Sequence, residues 1–223
     1  MFAREGYVLM LGATVIGVIL SVVALYVQGV WPPIFWILAV FVVAFTFYFF
    51  RDPDRTPPAD TTNLILAPAD GKVVLVEEVD ESIYLASRAK KVSIFLSPLD
   101  VHVNRIPVNG VIEFDRYISG SYLVAWHPKA SDLNERSEIG LKHATGSKVL
   151  FKQIAGAVAR RIVYHIKTGD EVVAGDRFGI VKFGSRMDVL VPLSAEIFVK
   201  VGDRVCGGET VIGQLNDEES DES

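Results

Sequence analysis

Two long apolar runs open the chain. Residues 7–27 and 30–50 contain no charged side chain, and each is long enough to cross the ~30 Å hydrocarbon layer of a bilayer as a helix. The link between them is uncharged and holds Pro32 and Pro33, which suits a tight turn. We therefore predict a hydrophobic helical hairpin that either spans the membrane or enters only one leaflet.

The pattern changes after a proline-rich connector at residues 51–58. Short apolar stretches bounded by glycine, proline and aspartate follow, and helical periodicity is confined to a short piece at 130–136. The predicted strands are 73–79, 92–96, 106–114, 148–154, 161–166, 178–183, 187–191, 196–201 and 210–214. We predict a mainly β domain, sandwich-like or barrel-like, at 53–215, after a hairpin at 1–52 and before an acidic disordered tail at 216–223.

The charge distribution and the cysteine content limit the kinds of binding partner that the chain can have. The formal net charge of −5 is matched by five acidic residues in the tail, and no basic stripe predicts a nucleic-acid partner. A single cysteine excludes an intrachain disulfide, and no metal-ligand spacing is present. Because Arg4, Arg51 and Arg55 flank the apolar runs and their link has no positive charge, the positive-inside bias predicts that the β domain lies on the cytoplasmic face of the cell membrane.

A glycine pattern repeats at an offset of 33 residues. Gly169-Asp-Glu-Val172 with Gly175 matches Gly202-Asp-Arg-Val205 with Gly208, a pattern typical of a hairpin turn followed by a buried strand. Duplicated turns of this kind also occur in biotin and lipoyl carriers, where an exposed lysine takes the cofactor. A membrane-tethered carrier or binding barrel modified at Lys182, without catalytic activity, is therefore an alternative function.

The step from Gly184 to Ser185 lies between two predicted apolar strands. The chain has three Gly-Ser pairs, so the pair alone is typical of an ordinary turn. Between buried strands, a tight step brings the serine hydroxyl close to the carbonyl of its own preceding residue, and glycine leaves that carbonyl open. An N-to-O acyl shift and β-elimination at this place would cut the chain and leave an N-terminal pyruvoyl group, which is an electron sink.

Four segments carry the remaining candidate chemistry: Ala67-Pro-Ala-Asp-Gly71, Leu96-Ser-Pro-Leu-Asp-Val-His-Val-Asn-Arg105, Asn134-Glu-Arg136 and Phe183-Gly-Ser-Arg186. Together they resemble the phosphatidylserine decarboxylase family in its short, archaeal-type form, which cleaves itself at Gly-Ser. The resemblance covers about residues 51–215. It implies decarboxylation of phosphatidylserine to phosphatidylethanolamine in phospholipid biosynthesis, through a Schiff base between the substrate amine and the pyruvoyl group.

The resemblance also implies roles for single residues. Ser185 becomes the covalent pyruvoyl cofactor, and Gly184 supplies the carbonyl at the cleavage site. The products are a β chain of residues 1–184 and an α chain of residues 185–223, which stay together as a heterodimer, single or paired. Asp70 matches the carboxylate that helps a histidine to activate the serine. His102 matches a histidine that acts as the base in cleavage or protonates the substrate carbon.

Arg105 departs from the family pattern. Longer members carry a second histidine there as the cleavage base, and a guanidinium cannot serve as a base at neutral pH. Either His102 covers both tasks, or one of the other histidines reaches Ser185: His127, the second choice because it falls in a polar loop, or His143 or His165. Arg105 could instead bind the lipid phosphate or the serine carboxylate through its planar fork, and the phosphate is favoured.

Three further sets of polar residues complete the candidates. Asn104, next to Arg105, is a further candidate site residue. The segment Asn134-Glu-Arg136 is interpreted as structural or as part of a lid. Lys129 and Arg186 could meet anionic headgroups, but they are interpreted as solvated surface charges.

Overall fold

The computed structural model describes residues 1–121, 133–156, 162–182 and 185–216. The chain forms two compact units, Met1–Asp54 and Arg55–Ser223. His127, Lys129, Gly184 and nearly all of the predicted acidic tail lie outside the described residues.

The first unit is the predicted helical hairpin. After a 3-10 turn at Arg4–Gly6, helix α1 spans Tyr7–Tyr26 and helix α2 spans Trp31–Phe49. Both helices are long and apolar enough to cross a membrane by length and composition. Most of their side chains are exposed, as expected for surfaces that face lipid, whereas small residues such as Gly17 and Ala39 are buried where the helices pack. A side chain at Gly17 would meet Val43 at 2.7 Å, so glycine permits the close approach.

The second unit is built from antiparallel strands, which confirms the mainly β prediction. An eight-stranded sheet has the order β13-β2-β3-β11-β7-β6-β5-β9, and two three-stranded sheets have the orders β4-β10-β8 and β1-β14-β12. The strands are β1 Leu64–Leu66, β2 Gly71–Glu81, β3 Ser87–Leu96, β4 Val103–Arg105, β5 Gly110–Ile118, β6 Arg136–Lys142, β7 Lys148–Ile154, β8 Ile162–Tyr164, β9 Glu171–Val172, β10 Arg177–Val181, β11 Ser185–Pro192, β12 Glu196–Ile197, β13 Arg204–Val205 and β14 Val211–Gln214.

Strand β11 lies inside the large sheet. It pairs with β3 on one side and with β7 on the other. Its alternate residues Met187, Val189 and Val191 join the main hydrophobic core. The residues that alternate with them, which include Arg186 and Asp188, point to the other face of the sheet and are also buried.

Three sequence predictions are wrong in detail. The helical piece expected at 130–136 does not reach its predicted end, because Arg136 begins strand β6, a strand that the apolar pattern missed since charged residues interrupt it. The strand expected at 106–114 begins later, at Gly110, because the preceding segment from Pro107 forms a turn. The strand expected at 196–201 is reduced to Glu196–Ile197.

The predicted glycine repeat is a pair of matching turns. Gly169 and Gly202 have φ angles of 96° and 103°, and Gly175 and Gly208 have φ angles of 90° and 77°. These values lie in the left-handed region that favours glycine. The first turn leads into β9 and the second into β13, so the two turns place matching strands at the two edges of the large sheet.

The duplication extends further than the sequence pattern indicated. The segment Pro68-Ala69-Asp70-Gly71 has a counterpart in Pro107-Val108-Asn109-Gly110. The Asp70 carboxylate accepts the Gly207 N–H at 2.8 Å, and the Asn109 side-chain carbonyl accepts the Ala174 N–H at 2.8 Å. The fold therefore contains two related halves, in which Asp70 and Asn109 hold equivalent turns.

Candidate active site

Segments that are far apart in sequence meet at one end of the large sheet. Strand β2 begins directly after Asp70, β3 ends at Leu96, β11 begins at Ser185 and β6 begins at Arg136. Ser185 lies opposite Leu96, while Arg186 and Arg136 both lie opposite Ile154 at the end of β7. The structure thus brings all four sequence segments to the same sheet end.

Ser185 is fully buried at this end. Alternation along β11 places its side chain on the same face as Met187, toward the main core. Among the described residues its hydroxyl has no hydrogen-bond partner. Buried hydroxyl groups in folded proteins are normally hydrogen-bonded. Ser93 and Ser185 are the two described serines whose buried hydroxyl lacks a partner, and of the two Ser185 lies at the sheet end where the four segments meet.

The small sheet β4-β10-β8 packs over the face that carries Ser185. Three observations locate it there. Phe178 meets Phe151 with ring centroids 5.2 Å apart, a side chain at Gly179 would lie 3.0 Å from the Gln153 amide, and Val181 packs against Ala155. Ala155 follows Ile154 and therefore lies at the level of Ser185. Strand β10 therefore ends, at Val181, over the start of β11.

His102 lies at the level of Ser185. Ile180 of β10 pairs with Val103 of β4, so the residue before Val103 lies beside Val181. His102 is fully buried, and its Nδ1 lies 2.9 Å from the Asp100 carbonyl oxygen. Because a carbonyl can only accept, Nδ1 carries the proton and Nε2 is the basic nitrogen of the neutral ring.

Asn104 follows His102 by two residues and is also fully buried. Its side-chain oxygen accepts a hydrogen bond from Gln153 Nε2 at 2.8 Å, and Gln153 in turn accepts one from Ser137 Oγ at 2.9 Å. Sequence analysis did not single out Gln153 or Ser137. Their only signal is a polar side chain within an otherwise buried strand.

Asp70 does not contact a described histidine. Arg55 Nη2 donates to its two carboxylate oxygens at 2.9 and 2.7 Å, and the Gly207 N–H donates at 2.8 Å. Burial opposes the charge of Arg55, but the carboxylates of Asp70 and Glu209 outweigh burial and raise the pKa of its guanidinium. The role of Asp70 as the partner of a histidine remains a prediction.

Arg105 is held inside the protein. It is 7% exposed, and its Nη1 donates to the Gly175 carbonyl at 2.8 Å. Its stem passes Gly208, where a side chain would lie 2.7 Å from Arg105 Cδ. The binding of lipid phosphate by Arg105 remains a prediction.

The other described histidines lie away from Ser185. His143 follows β6 at the end opposite Arg136, about 20 Å along the strand, and its ring contacts Thr145 and the Thr62 carbonyl. His165 is exposed after β8, and its N–H donates to the Phe178 carbonyl near the start of β10. Of the described histidines, His102 is the one at the level of Ser185.

Arg186 is not a surface charge, contrary to the sequence prediction. It is fully buried, and its guanidinium forms a fork with Asp188 at 2.6 and 3.2 Å. Burial is possible because the carboxylate two residues along the strand lies on the same face. Asn134 is also buried, and its Nδ2 donates to the Ala155 carbonyl at 2.7 Å, so it ties its segment to the end of β7.

Further charged residues lie beside this ion pair on the same face of the sheet. Asp188 lies opposite Lys152, and Lys152 lies opposite Glu138. Burial alone would raise the pKa of Glu138, but hydrogen bonds from Arg136 and Arg116 and the charge of Lys152 outweigh burial and lower it below the usual value. Within the described ranges, no group of three or more histidine, cysteine or acidic residues is arranged to hold a metal ion.

A mainly β domain with a buried serine and a buried histidine at one end of its large sheet, preceded by an apolar hairpin, fits the class of enzymes that are made as proenzymes and act on membrane lipids. The model of the phosphatidylserine decarboxylase family matches residues 42–213, and the chain belongs to this family. It is similar to proteins named phosphatidylserine decarboxylase proenzyme from three bacteria.

The relative from Salinibacter ruber is 62% identical over 187 residues, which are 83% of this chain and 82% of the relative. The relative from Symbiobacterium thermophilum is 44% identical over 213 residues, or 96% and 95% of the two chains. The relative from Chlorobium limicola is 42% identical over 216 residues, or 96% and 100%. The family match favours an enzyme over the alternative of a biotinyl or lipoyl carrier.

Proposed function

We propose that the chain cuts its own backbone between Gly184 and Ser185, and that Ser185 becomes the N-terminal pyruvoyl group of an α chain of residues 185–223. The observation that carries this proposal is the buried Ser185 hydroxyl, which has no described hydrogen-bond partner and lies at the level of His102. The activity that the cut prepares is the decarboxylation of phosphatidylserine to phosphatidylethanolamine.

His102 serves as the base of the first step. Its Nε2 takes the proton of the Ser185 hydroxyl, and Oγ adds to the carbonyl carbon of Gly184. The C–N bond breaks, the proton passes to the nitrogen of Ser185, and the two residues are joined by an ester. The Asp100 carbonyl supports this role because it holds Nδ1–H and leaves Nε2 as the acceptor.

Elimination completes the cut. A base removes the Cα proton of Ser185, the Cβ–Oγ bond breaks, and Gly184 leaves as a C-terminal carboxylate. Water hydrolyses the remaining enamine, by way of its imine, and releases ammonia. The resulting ketone, when present, draws electrons from the substrate so that carbon dioxide can leave without a free carbanion. Because this group derives from the chain itself, no external cofactor is required.

The surroundings of Ser185 fit a group of this kind. Leu96 and Ala155 flank the serine within the sheet, and both are fully buried. His102 and Asn104 supply polar atoms from the small sheet, and both are also fully buried. A dry site with few fixed polar groups strengthens each electrostatic interaction with the reacting atoms.

Asp70 supports self-cleavage through its negative charge. The duplication within the β domain offers a direct test, because Asn109 shows that an amide can hold the equivalent turn. The variant Asp70→Asn should therefore fold and keep the turn at Gly207, whereas its self-cleavage should slow. Asn109→Asp is the matched control, which should process at the parent rate. Parent-rate processing by Asp70→Asn would leave Asp70 with a structural role only.

The hairpin anchors the enzyme in the cell membrane, with the β domain on the cytoplasmic face. The arginines that flank the apolar runs support this orientation. The α and β chains form a heterodimer, single or paired. Protease added to sealed inside-out vesicles should digest the β domain, while the same treatment of right-side-out vesicles should spare it.

The intact mass of the purified, denatured protein tests the self-cleavage. The parent should give two fragments, and the α fragment should have lost ammonia and carry a ketone at its first residue. Ser185→Ala should stay in one piece, and His102→Ala should process about 10²–10⁴ times more slowly. Ser147→Ala, from another Gly-Ser pair, is the control and should process normally. Two fragments from Ser185→Ala would refute the proposal.

A further inference from the structure

Asn104, Gln153 and Ser137 form a buried line of hydrogen bonds that the proposed mechanism does not yet use. All three side chains are fully buried. The Ser137 hydroxyl donates to the Gln153 oxygen at 2.9 Å, and the Gln153 amide donates to the Asn104 oxygen at 2.8 Å. The bonds all run in one direction, from Ser137 toward Asn104.

This line fixes the orientation of the Asn104 amide. Because the Asn104 oxygen faces Gln153, the NH₂ group must face elsewhere. Among the described residues, Asn104 Nδ2 has no hydrogen-bond partner. A buried donor without an acceptor is costly and rare in a native protein, so the position of this donor requires an explanation.

The Asn104 amide lies between the small sheet and the face of the large sheet that carries Ser185. Asn104 and His102 are two residues apart and share a face of their segment. That face meets the large sheet, since Asn104 contacts Gln153, which lies opposite Met187 and hence on the face that carries Ser185. Gly179 makes room for the contact, because a side chain there would lie 3.0 Å from Gln153 Nε2.

We infer that Asn104 Nδ2 donates a hydrogen bond to the oxyanion that forms on the Gly184 carbonyl oxygen when Ser185 Oγ adds to it. In that step the hydroxyl proton goes to His102, the O–C bond forms, and the carbonyl π electrons move onto the oxygen that Nδ2 stabilises. Collapse returns this electron pair and breaks the C–N bond. Gln153 and Ser137 are positioning residues that aim the donor. The inference rests on the proposed self-cleavage.

A preorganised donor accelerates the step because it interacts more strongly with the negative oxygen than with the neutral carbonyl. Loss of one such donor typically slows a reaction by about 10²–10³-fold. Asn104→Ala should therefore slow the appearance of the two fragments by that factor. The rate is measured by denaturing gel and intact mass on the full-length chain in detergent. Asn109→Ala, which removes an amide that holds Thr61 and Ala174 instead, is the control and should process normally.

Gln153→Glu tests the orientation without changing the shape. An ionised carboxylate cannot donate to the Asn104 oxygen, so the Asn104 amide should rotate, donate to the new carboxylate and present its own oxygen to the site. Burial raises the pKa of the new carboxyl, so we expect a loss close to that of Asn104→Ala at alkaline pH, where the carboxyl is ionised. Protonating the new carboxyl restores a donor, so the rate of Gln153→Glu relative to Asn104→Ala should rise as the pH falls. A merely structural role would not produce this pH-dependent recovery.

Hydroxylamine separates the acyl shift from the elimination, since at neutral pH it cleaves an ester much faster than a peptide bond. Only a cut between Gly184 and Ser185, identified by the fragment masses, is counted, because hydroxylamine also attacks the Asn109-Gly110 bond. Variants in which the acyl shift is slowed should not be cleaved rapidly by hydroxylamine, because the ester does not accumulate in them. Rapid hydroxylamine cleavage of Asn104→Ala would mean that the ester forms and that Asn104 acts later, which overturns the inference. Parent-rate processing by folded Gln153→Glu at every pH, alkaline pH included, would overturn it too, even if Asn104→Ala fails to fold. Two fragments from Ser185→Ala would instead refute the self-cleavage itself.

Discussion

Replacing Glu138 with glutamine removes the charge at the centre of a buried ionic network. The Glu138 side chain is 0% exposed and accepts hydrogen bonds from Arg116 Nη2 at 2.6 Å and Arg136 Nε at 2.9 Å, while Lys152 Nζ lies 3.3 Å away. Glutamine keeps the shape of the side chain. It leaves three cations close together without the carboxylate between them.

The expected cost is large because the carboxylate is shielded from water. Removing one partner of a buried ion pair typically costs about 3–5 kcal/mol. The three cations are 42%, 14% and 12% exposed and can regain some hydration, so we expect a loss of about 3 kcal/mol in the free energy of unfolding. With a urea dependence of about 1–3 kcal/mol per molar, the unfolding midpoint should fall by about 1–3 M.

Urea unfolding followed by far-ultraviolet circular dichroism measures this loss. The full-length Ser185→Ala chain in detergent is the background, because an uncut chain simplifies the transition. Glu78→Gln is the matched control: its pair with Arg88 has a length of 2.8 Å and side chains 49% and 61% exposed, so its loss should stay below about 1 kcal/mol. Equal losses for Glu138→Gln and Glu78→Gln would refute the reasoning.

The pH dependence gives an independent check. Because the pKa of Glu138 is lowered in the fold from its ordinary value of 4.5, its contribution is fully present above that value and is lost as the pH falls through the folded pKa. The difference between the background chain and Glu138→Gln should therefore be complete at neutral pH and should close in acid. A difference that stays constant in acid would contradict this assignment.

Two more predictions concern the contacts around the site. With the proposed cut before Ser185, Glu209 of the α chain binds the Arg55 side chain and the Thr56 N–H of the β chain, so Glu209→Gln should let the fragments separate at lower urea. Since the Thr56 bond and the Arg55 charge lower the pKa of Glu209, the effect should be full above about pH 4.5 and should be lost as the pH falls through the lowered folded pKa; a size-exclusion elution unchanged at neutral pH would contradict this. Gly179→Ala should cost about 1–3 kcal/mol of stability, because its side chain would meet the Val163 carbonyl and Gln153. Gly12→Ala, with nothing within 4 Å, is the control for the same thermal unfolding assay, and equal melting of the two variants would be the contrary result.

The hairpin and most strands could be predicted because their signals are local. Uninterrupted apolar runs predicted the two helices, and the apolar stretches on both sides of Gly184 and Ser185 predicted two buried strands, of which the second begins two residues earlier than expected, at Ser185. His102 and Asn104 were found through the motif that contains them. No alternation or spacing within that segment predicted that both side chains are completely buried.

The residues that were missed depend on contacts between distant parts of the chain. Gln153 binds a side chain 49 residues away, and a single polar residue within an apolar strand does not reveal its partner. Strand β6 was missed because three of its seven residues are charged, a composition that usually indicates an exposed segment. Two signals were present in the sequence. The spacing of Arg186 and Asp188 suits a pair on one face of a strand, and the Pro-x-Asp/Asn-Gly segments reveal the second half of the duplication.

The interior position of β11 determines whether the chain can be cut before or after it folds. Its first residue pairs with Leu96, and the strand then runs between two neighbours that belong to the other product. A short peptide supplied afterwards would have to force open a finished sheet to reach that place. With the proposed cut before Ser185, cleavage should therefore follow folding, and the α chain should stay with the β chain from which it was cut.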